Sequence, residues 1–302
     1  MRSRAGFFVA LPTVAVLAVA CGSSGSTANS GTTTAPSPRG HGNVEVLYAG
    51  SLVKLMENGI GPAFNSATGY TLSGFPGGST ELAQDIKGKV RQGDVFVSAS
   101  PEADKGLMGA ANGNWVSWYA TFAKAPLLLG YNPKSSFAAQ LKTKPWYQVI
   151  TEPGFRVGRT DPALDPKGKL TVQALQQAAS VYRDPALLSI LQDTSNIFPE
   201  QDLLGRLSAG QLDAGFFYAN EATPAHLPTV PLGQVHLAAT YTVTVLQGAP
   251  NQAGAVAFVK FLLASMGDSI LGSTGLSVEK PTVTGDAPAV PAGLHQVVPA
   301  SS

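Results

Sequence analysis

A single cysteine in 302 residues leaves no intrachain disulfide and no cysteine-based metal cluster. The four histidines, His41, His226, His236 and His295, do not form a metal-ligand spacing, and satisfied structural positions are their better reading. Charge is scarce too. Only 13% of residues are charged and the formal net charge is +1, which gives no electrostatic footing for nucleic acid. The chain has no G-x-S-x-G elbow, no long phosphate loop and no zinc-hydrolase motif. Spacing fixes no paired-carboxylate constellation, so an enzyme reading has no residues to stand on. Beyond the first segment, no stretch approaches the about 20 apolar residues that a helical membrane span requires.

That first segment, "MRSRAGFFVALPTVAVLAVAC", has two arginines, an apolar run and small residues before Cys21. This is the layout of a secretion signal over residues 1–20. "LAVAC" resembles the bacterial lipobox, with Ala18 where leucine is usual. The resemblance implies lipidation at Cys21 and attachment through that lipid to the extracytoplasmic face of the membrane, in the periplasm or cell envelope. Loss of Arg2 and Arg4 with the leader moves the formal charge from +1 to −1. The following stretch, "GSSGSTANSGTTTAPSPRGHG", has almost nothing to bury, so residues 21–42 read as a flexible tether.

From Asn43 onward, short apolar runs alternate with helical patterns. "VEVLYAG", "YTLSGF" and "GDVFVSAS" read as strands; "SLVKLMENGIGPAFNSATG", "GGSTELAQDIKGKV" and "PEADKGLMGA" read as the helices after them. Further on, "KAPLLLGYN", "RVGRTD" and "QLDAGFFYANEA" supply strands, and "LTVQALQQAASVY" and "PEQDLLGRLSAG" supply helices. "VHLAATYTVTVLQ" is a long extended section, and "NQAGAVAFVKFLLASMGDSILGSTG" is the strongest helical stretch. The alternation predicts an α/β fold of mostly parallel sheets with helices on both faces. Two lobes suit the pattern better than one sheet of every strand. The expected division is residues 43–123 plus 240–290 for lobe I, 124–239 for lobe II, and 291–302 as a C-terminal tail.

Two junctions repeat one design. "YAGSL" and "FPGGST" each run a strand through glycine into a serine at a helix start. Such a junction is either a simple turn with a capping serine, or a place where N–H groups and a hydroxyl hold an anion. In "TDPALDPKG", Asp161 and Asp165 precede prolines and could hold turns; Lys167 would offset charge at a cleft rim or stand in solvent.

"YAGSLVKLMENGIGPAF", "GGSTELAQDIKGKVRQGDVFVSAS", "DPALDPKG", "SAGQLDAGFFYANEA" and "AVAFVKFLLASMGDSILGSTGL", in that order, resemble the periplasmic molybdate- and tungstate-binding proteins of ABC importers. The resemblance covers nearly all of Val44 to Leu276. It implies a two-lobed periplasmic-binding-protein fold with the ligand cleft between the lobes. It also implies a substrate-binding component of an ABC importer, acting as a monomer that delivers its ion to a permease driven by a cytoplasmic ATPase. By position, Ser51 and Ser79 would hold the oxyanion from lobe I. Asp165, a backbone N–H near Ile197, and Tyr218 would hold it from lobe II. Archaeal tungstate binders carry a carboxylate where this chain has Phe217. That departure favours a tetrahedral ion held by hydrogen bonds over a six-coordinate centre. Asp165 is the one residue where a direct bond to the metal atom stays open.

The ligand would be molybdate or tungstate, with no cofactor, no catalytic residue and no nucleic-acid partner. Neutral hydroxyls and N–H groups suit a dianion with four acceptor oxygens. Sulfate is smaller, and phosphate near neutral pH brings a proton that needs an acceptor such as Asp165. A sulfate or phosphate binder is therefore the alternative. A surface sensor or adhesion lipoprotein is a further one.

Overall fold

The computed structural model describes residues 40–299. The expected leader, Cys21 and nearly all of the tether lie outside the described residues. Hydrogen-bonded strands run in the order β2-β1-β3-β9-β4-β7-β5-β6. In chain order these are β1 (Asn43–Ala49), β2 (Thr71–Gly77), β3 (Val95–Ser98), β4 (Trp118–Tyr131), β5 (Val157–Thr160), β6 (Ile197–Phe198), β7 (Ala214–Tyr218) and β9 (Ala238–Val245). β8 (Thr229–Pro231) and β10 (Ser277–Gly285) also pair with β4.

The pairing is parallel at the two ends and antiparallel in the middle. β1 lies parallel to β2 and β3, and β5 lies parallel to β6 and β7. β9 is antiparallel to β3 and β4, and β7, β8 and β10 are antiparallel to β4. The 14-residue β4 changes partners along its length. Its first part, to Pro126, pairs with β10 and β9; from Leu127 it pairs with β7 and β8. Strands on either side of this change share one large buried core, from Val46 and Phe258 to Leu129 and Phe216.

Helices pack on the sheet through short apolar stripes. Leu82 and Ile86 of α2 (Ser79–Lys87) meet Leu47 and Phe96. Leu203 and Leu207 of α5 (Glu200–Ser208) meet Leu212 and Phe217. Between them in sequence lie α3 (Pro101–Lys105), opened by Pro101 with Ser100 as its cap, and α4 (Pro166–Val181), capped by Asp165. The helical stretch after β1 is not uniform. A 3-10 turn over Gly50–Leu52 and a short α turn lead into a π turn over Met56–Ile60, and α1 (Gly61–Thr68) follows. α6 (Ala219–Ala222) follows β7 directly.

The strongest helical pattern divides in two, α7 (Gln252–Leu262) and α8 (Ser265–Gly272), because Ala264 adopts an extended backbone. Near the end of the described residues, Leu294 and Val298 are fully buried in the core. Among the described residues, no single helix is long and apolar enough to cross a membrane.

Candidate functional site

Several strand exits and helix starts meet at one place. β1 leaves through Gly50 into Ser51, and a Cβ on Gly50 would come within 2.9 Å of Glu200 Oε2 at the start of α5. β2 leaves through Gly78 into Ser79, and a Cβ there would lie 2.5 Å from the Leu164 carbonyl and 3.3 Å from the Asp165 Cβ. Both glycines allow a backbone approach that any side chain would obstruct. The approach at Gly78 is fixed further by Glu81 of α2, whose N–H donates to the Leu164 carbonyl at 3.0 Å. The approach at Ser51 is fixed by Asn220, whose side-chain amide donates to the Ser51 carbonyl at 2.9 Å.

Neither serine caps its own helix. The Ser51 hydroxyl is 2.9 Å from the Tyr241 hydroxyl, and Tyr241 in turn donates to Asn220 Oδ1 at 3.1 Å. Ser79 Oγ accepts the Ala99 N–H at 3.0 Å. Both serines are buried; Ser79 keeps its O–H to give, whereas Ser51 gives its proton to Tyr241, whose own goes to Asn220. Tyr218 ends β7 with its ring fully buried against Tyr241, and its hydroxyl has no partner among the described residues.

Around Tyr218 stand three carboxyl groups and one cation. Lys167 is fully buried, with Nζ 2.7 Å from Glu221 and 3.3 Å from Glu200. Glu221 also accepts the Tyr218 N–H at 2.8 Å. Glu200 contacts Lys167 outside hydrogen-bond geometry, and neither of its oxygens has a hydrogen-bond partner among the described residues. Asp165 Oδ1 accepts the Lys167 N–H at 3.0 Å, while Oδ2 is unpartnered among them.

Burial drives the acidities in this cluster. It pushes the Glu200 carboxyl up to about 8, helped by the charge of Asp165 and resisted by Lys167. Burial also raises Asp165, again against Lys167. Burial opposes the charge on Lys167, but the carboxylates of Glu221, Glu200 and Asp165 overcome it and raise its pKa. Tyr218 is raised well above the usual phenol range by burial and then by Asp165.

The predicted residues are thus distributed as follows. Ser51 and Tyr218 join the cluster of Tyr241, Asn220, Glu200 and Lys167, and Ser79 and Asp165 meet through the Gly78 contact. Ile197 stands on β6, three residues before Glu200, and directs its N–H at the Thr194 carbonyl at 3.4 Å. Asp161 holds a turn, accepting the Ala163 N–H. Lys167 is neither at a rim nor in solvent, because two glutamates enclose it. Glu200, Glu221, Asn220 and Tyr241 were not singled out by sequence. Phe217 turns to the opposite face of β7 from the Tyr218 hydroxyl and packs with the α5 leucines.

A cleft of about 330 Å³ opens on this cluster, walled by Ser51 and Lys54 on one side and by Glu200, Leu204 and Asn220 on the other. Among the described residues, no group of three or more His, Cys, Asp or Glu side chains is arranged to hold a metal ion. A cleft lined by the buried Ser51 and Asn220 beside Glu200, Glu221 and Lys54 can enclose a small polar solute.

The chain belongs to the bacterial extracellular solute-binding protein family, whose model matches residues 44–277. Membership makes it a binding protein rather than an enzyme, one that works outside the cytoplasm. It is 32% identical over 190 residues to a Haloferax volcanii protein provisionally named an ABC transporter molybdenum-binding protein. That match takes in 63% of this chain and 59% of that relative's length. Among solved structures, the Azotobacter vinelandii periplasmic molybdate-binding protein superposes with a TM-score of 0.63 at 17% identity, over 78% of this chain and 99% of that one. The sulfate-binding protein of Mycobacterium tuberculosis superposes with a TM-score of 0.61 at 15% identity, over 86% and 92%. Likeness at this level shows the fold, and the ligands of those two proteins differ.

Proposed function

We propose that the chain captures a tetrahedral oxyanion, molybdate or tungstate, outside the membrane and delivers it to an ABC permease. What supports this is the pairing of buried residues from distant parts of the chain: Ser51 with Tyr218 through Tyr241, and the Ser79 helix start with Asp165 at Gly78, Asp165 being near enough to Tyr218 to raise it. The Ser79 and Tyr218 hydroxyls, the Ser51 hydroxyl once turned from Tyr241, and the free N–H groups of α2 and the Gly50–Leu52 turn would satisfy oxygen atoms that bring their own charge. The family and the molybdenum-named relative support the same reading.

In this reading, residues 43–123 with 240–290 form one lobe and 124–239 the other, and the partner change in β4 is where they bend. Closing the lobes completes the shell around the ion. The Ile197 N–H would join only after turning away from Thr194. Cys21 carries the lipid that tethers the chain, and a mass spectrum showing an unmodified N-terminus at Met1 would refute that part.

The test is isothermal titration of the tether-free domain with molybdate, tungstate, sulfate and phosphate. Each lost hydrogen bond to a charged ligand is worth about 1.5–3 kcal/mol, so Ser51→Ala and Ser79→Ala should each weaken affinity about tenfold or more. Tyr218→Phe should do the same while keeping the ring packed. Tight sulfate binding without molybdate or tungstate would refute the assignment. A second reading, hydrogen phosphate, is favoured by the unpartnered oxygens of Glu200 and Asp165, which could accept its proton. Tight phosphate binding with the others silent would select it.

A further inference from the structure

One cation for three buried carboxyl groups is an unusual setting for a dianion, and Lys167 has already committed itself. It makes its short contact with Glu221, which also holds the Tyr218 N–H. That leaves Asp165 and Glu200 to share with Glu221 the single charge of Lys167, which lies 3.3 Å from Glu200 outside hydrogen-bond geometry. Were both ionised, they would face the ligand's charge in a buried space, where unpaired like charges are costly. As neutral acids, each is a donor with an O–H to give. The atoms available to give it are the unpartnered ones, Asp165 Oδ2 and the oxygens of Glu200.

We propose that Asp165 and Glu200 bind the oxyanion in their acid forms, each donating a hydrogen bond to it, so that ligand capture is tied to protons held at these two carboxyls. This rests on the oxyanion reading above and deepens it. Lys167 is then a positioning residue: it fixes Glu221, which fixes the end of β7 and so the Tyr218 ring. The upward shift of both carboxyl pKa values agrees with this assignment.

The groups facing Glu200 can be enumerated element by element. α4 brings Asp165 at its cap and Lys167 in its first turn; α6 brings Glu221; β7 brings Tyr218 and β9 brings Tyr241. β5 brings Arg159, whose guanidinium is spent on the Leu191 and Asp193 carbonyls. Lys54 lies on the opposite wall of the cleft. β2 and the Gly50–Leu52 turn bring no ionisable side chain.

The sign follows directly. A bound dianion holds the protons on Asp165 and Glu200 more tightly than the free site does. Above the pKa of a carboxyl in the free site, binding must take up its proton, and affinity falls by about tenfold per pH unit for each one. Below it, both states hold the protons and affinity is level.

The experiment is calorimetric titration of the wild-type domain with molybdate and with tungstate from pH 6.5 to 9.5, in pairs of buffers with different ionisation heats. The expected result is level affinity near neutrality, a fall of about tenfold between pH 8 and pH 9, and net proton uptake on that falling limb. The Glu200→Gln curve should flatten over the same interval, whatever its affinity at neutral pH. Level wild-type affinity without proton uptake would overturn the proposal while leaving the oxyanion reading intact. The carboxyl carbon resonances of the ligand-free wild-type protein provide a readout that needs no ligand. The resonances of Asp165 and Glu200, assigned by their loss in Asp165→Asn and Glu200→Gln and kept apart from that of Asp104, whose carboxyl burial also pushes up to about 8, should show both acids protonated at pH 7. If the Asp165 and Glu200 carbons titrate in the ordinary carboxylate range, the proposal fails even where no oxyanion binds at any pH. If the two acids stay protonated and no oxyanion binds, the oxyanion reading fails, and the proposal fails with it as a statement about oxyanion capture.

Discussion

Lys167 shows what a side chain's identity conceals. In "DPKG" it reads as an exposed lysine after a helix start, because most lysines are exposed. It is fully buried because α4 points its first turn at the starts of α5 and α6, where Glu200 and Glu221 wait. Those glutamates were equally hard to single out. An acid in a helix's first turn reads as a partner for the helix dipole in solvent, and no local signal separates that case from a buried one. Ser51, Ser79, Asp165 and Tyr218 were legible because each sits at a strand exit or helix start, where local sequence has a geometric meaning. Removing one member of a buried ion pair leaves the other uncompensated, so Lys167→Met should destabilise the fold by about 3–5 kcal/mol. Denaturant unfolding checks this, and adding Glu221→Gln to the same chain should recover part of the loss. Equal stability of Lys167→Met and wild type would mean that Glu221 gains nothing from its partner.

At the scale of elements, helix and strand starts were read well and interiors less so. The stretch from Ser51 to Gly69 was recognised as helical, but its 3-10 and π turns have no signature in apolar spacing. The pattern from Asn251 to Gly275 looks like one helix because its apolar residues continue across the bend at Ala264. β10 was not recognised as a strand. Lys280 and Pro281 interrupt it, and the ladder with β4 has an irregularity between Val278 and Thr282 that accommodates them. The loop-to-helix junctions bear the function proposed above, and one of them can be tested by shape alone. Gly78→Ala places a methyl against the Leu164 carbonyl, a backbone atom that cannot swing aside. Gly78 has an ordinary φ of −59°, so alanine adds no backbone strain there. The expected outcome is weaker ligand binding together with a stability loss of about 1–3 kcal/mol, because the methyl parts α2 from the Leu164 carbonyl that the Glu81 N–H holds. Small-angle scattering should show a larger radius with ligand present than the wild type has. Unchanged affinity would show that this contact has no part in binding.

The α/β class and the order of elements were legible across the whole molecule, since periodicity and turn residues report both. Strand neighbours were not. That β9 inserts between β3 and β4, and that β10 lies along β4, depends on pairings between segments far apart in sequence. The same pairings bear on how the protein comes into being. β3 ends at Ser98, yet its partner β9 begins at Ala238; the first part of β4 waits for β10, which begins at Ser277. Until the last quarter of the chain has emerged, β3 and β4 expose unsatisfied strand edges, and nothing local can close them. Contacts of such separation must await loop closure, which places this chain among slowly folding topologies. A polypeptide threaded through a membrane from its N-terminus would for that reason stay unfolded for most of its passage, kept translocatable by the architecture of its own sheet.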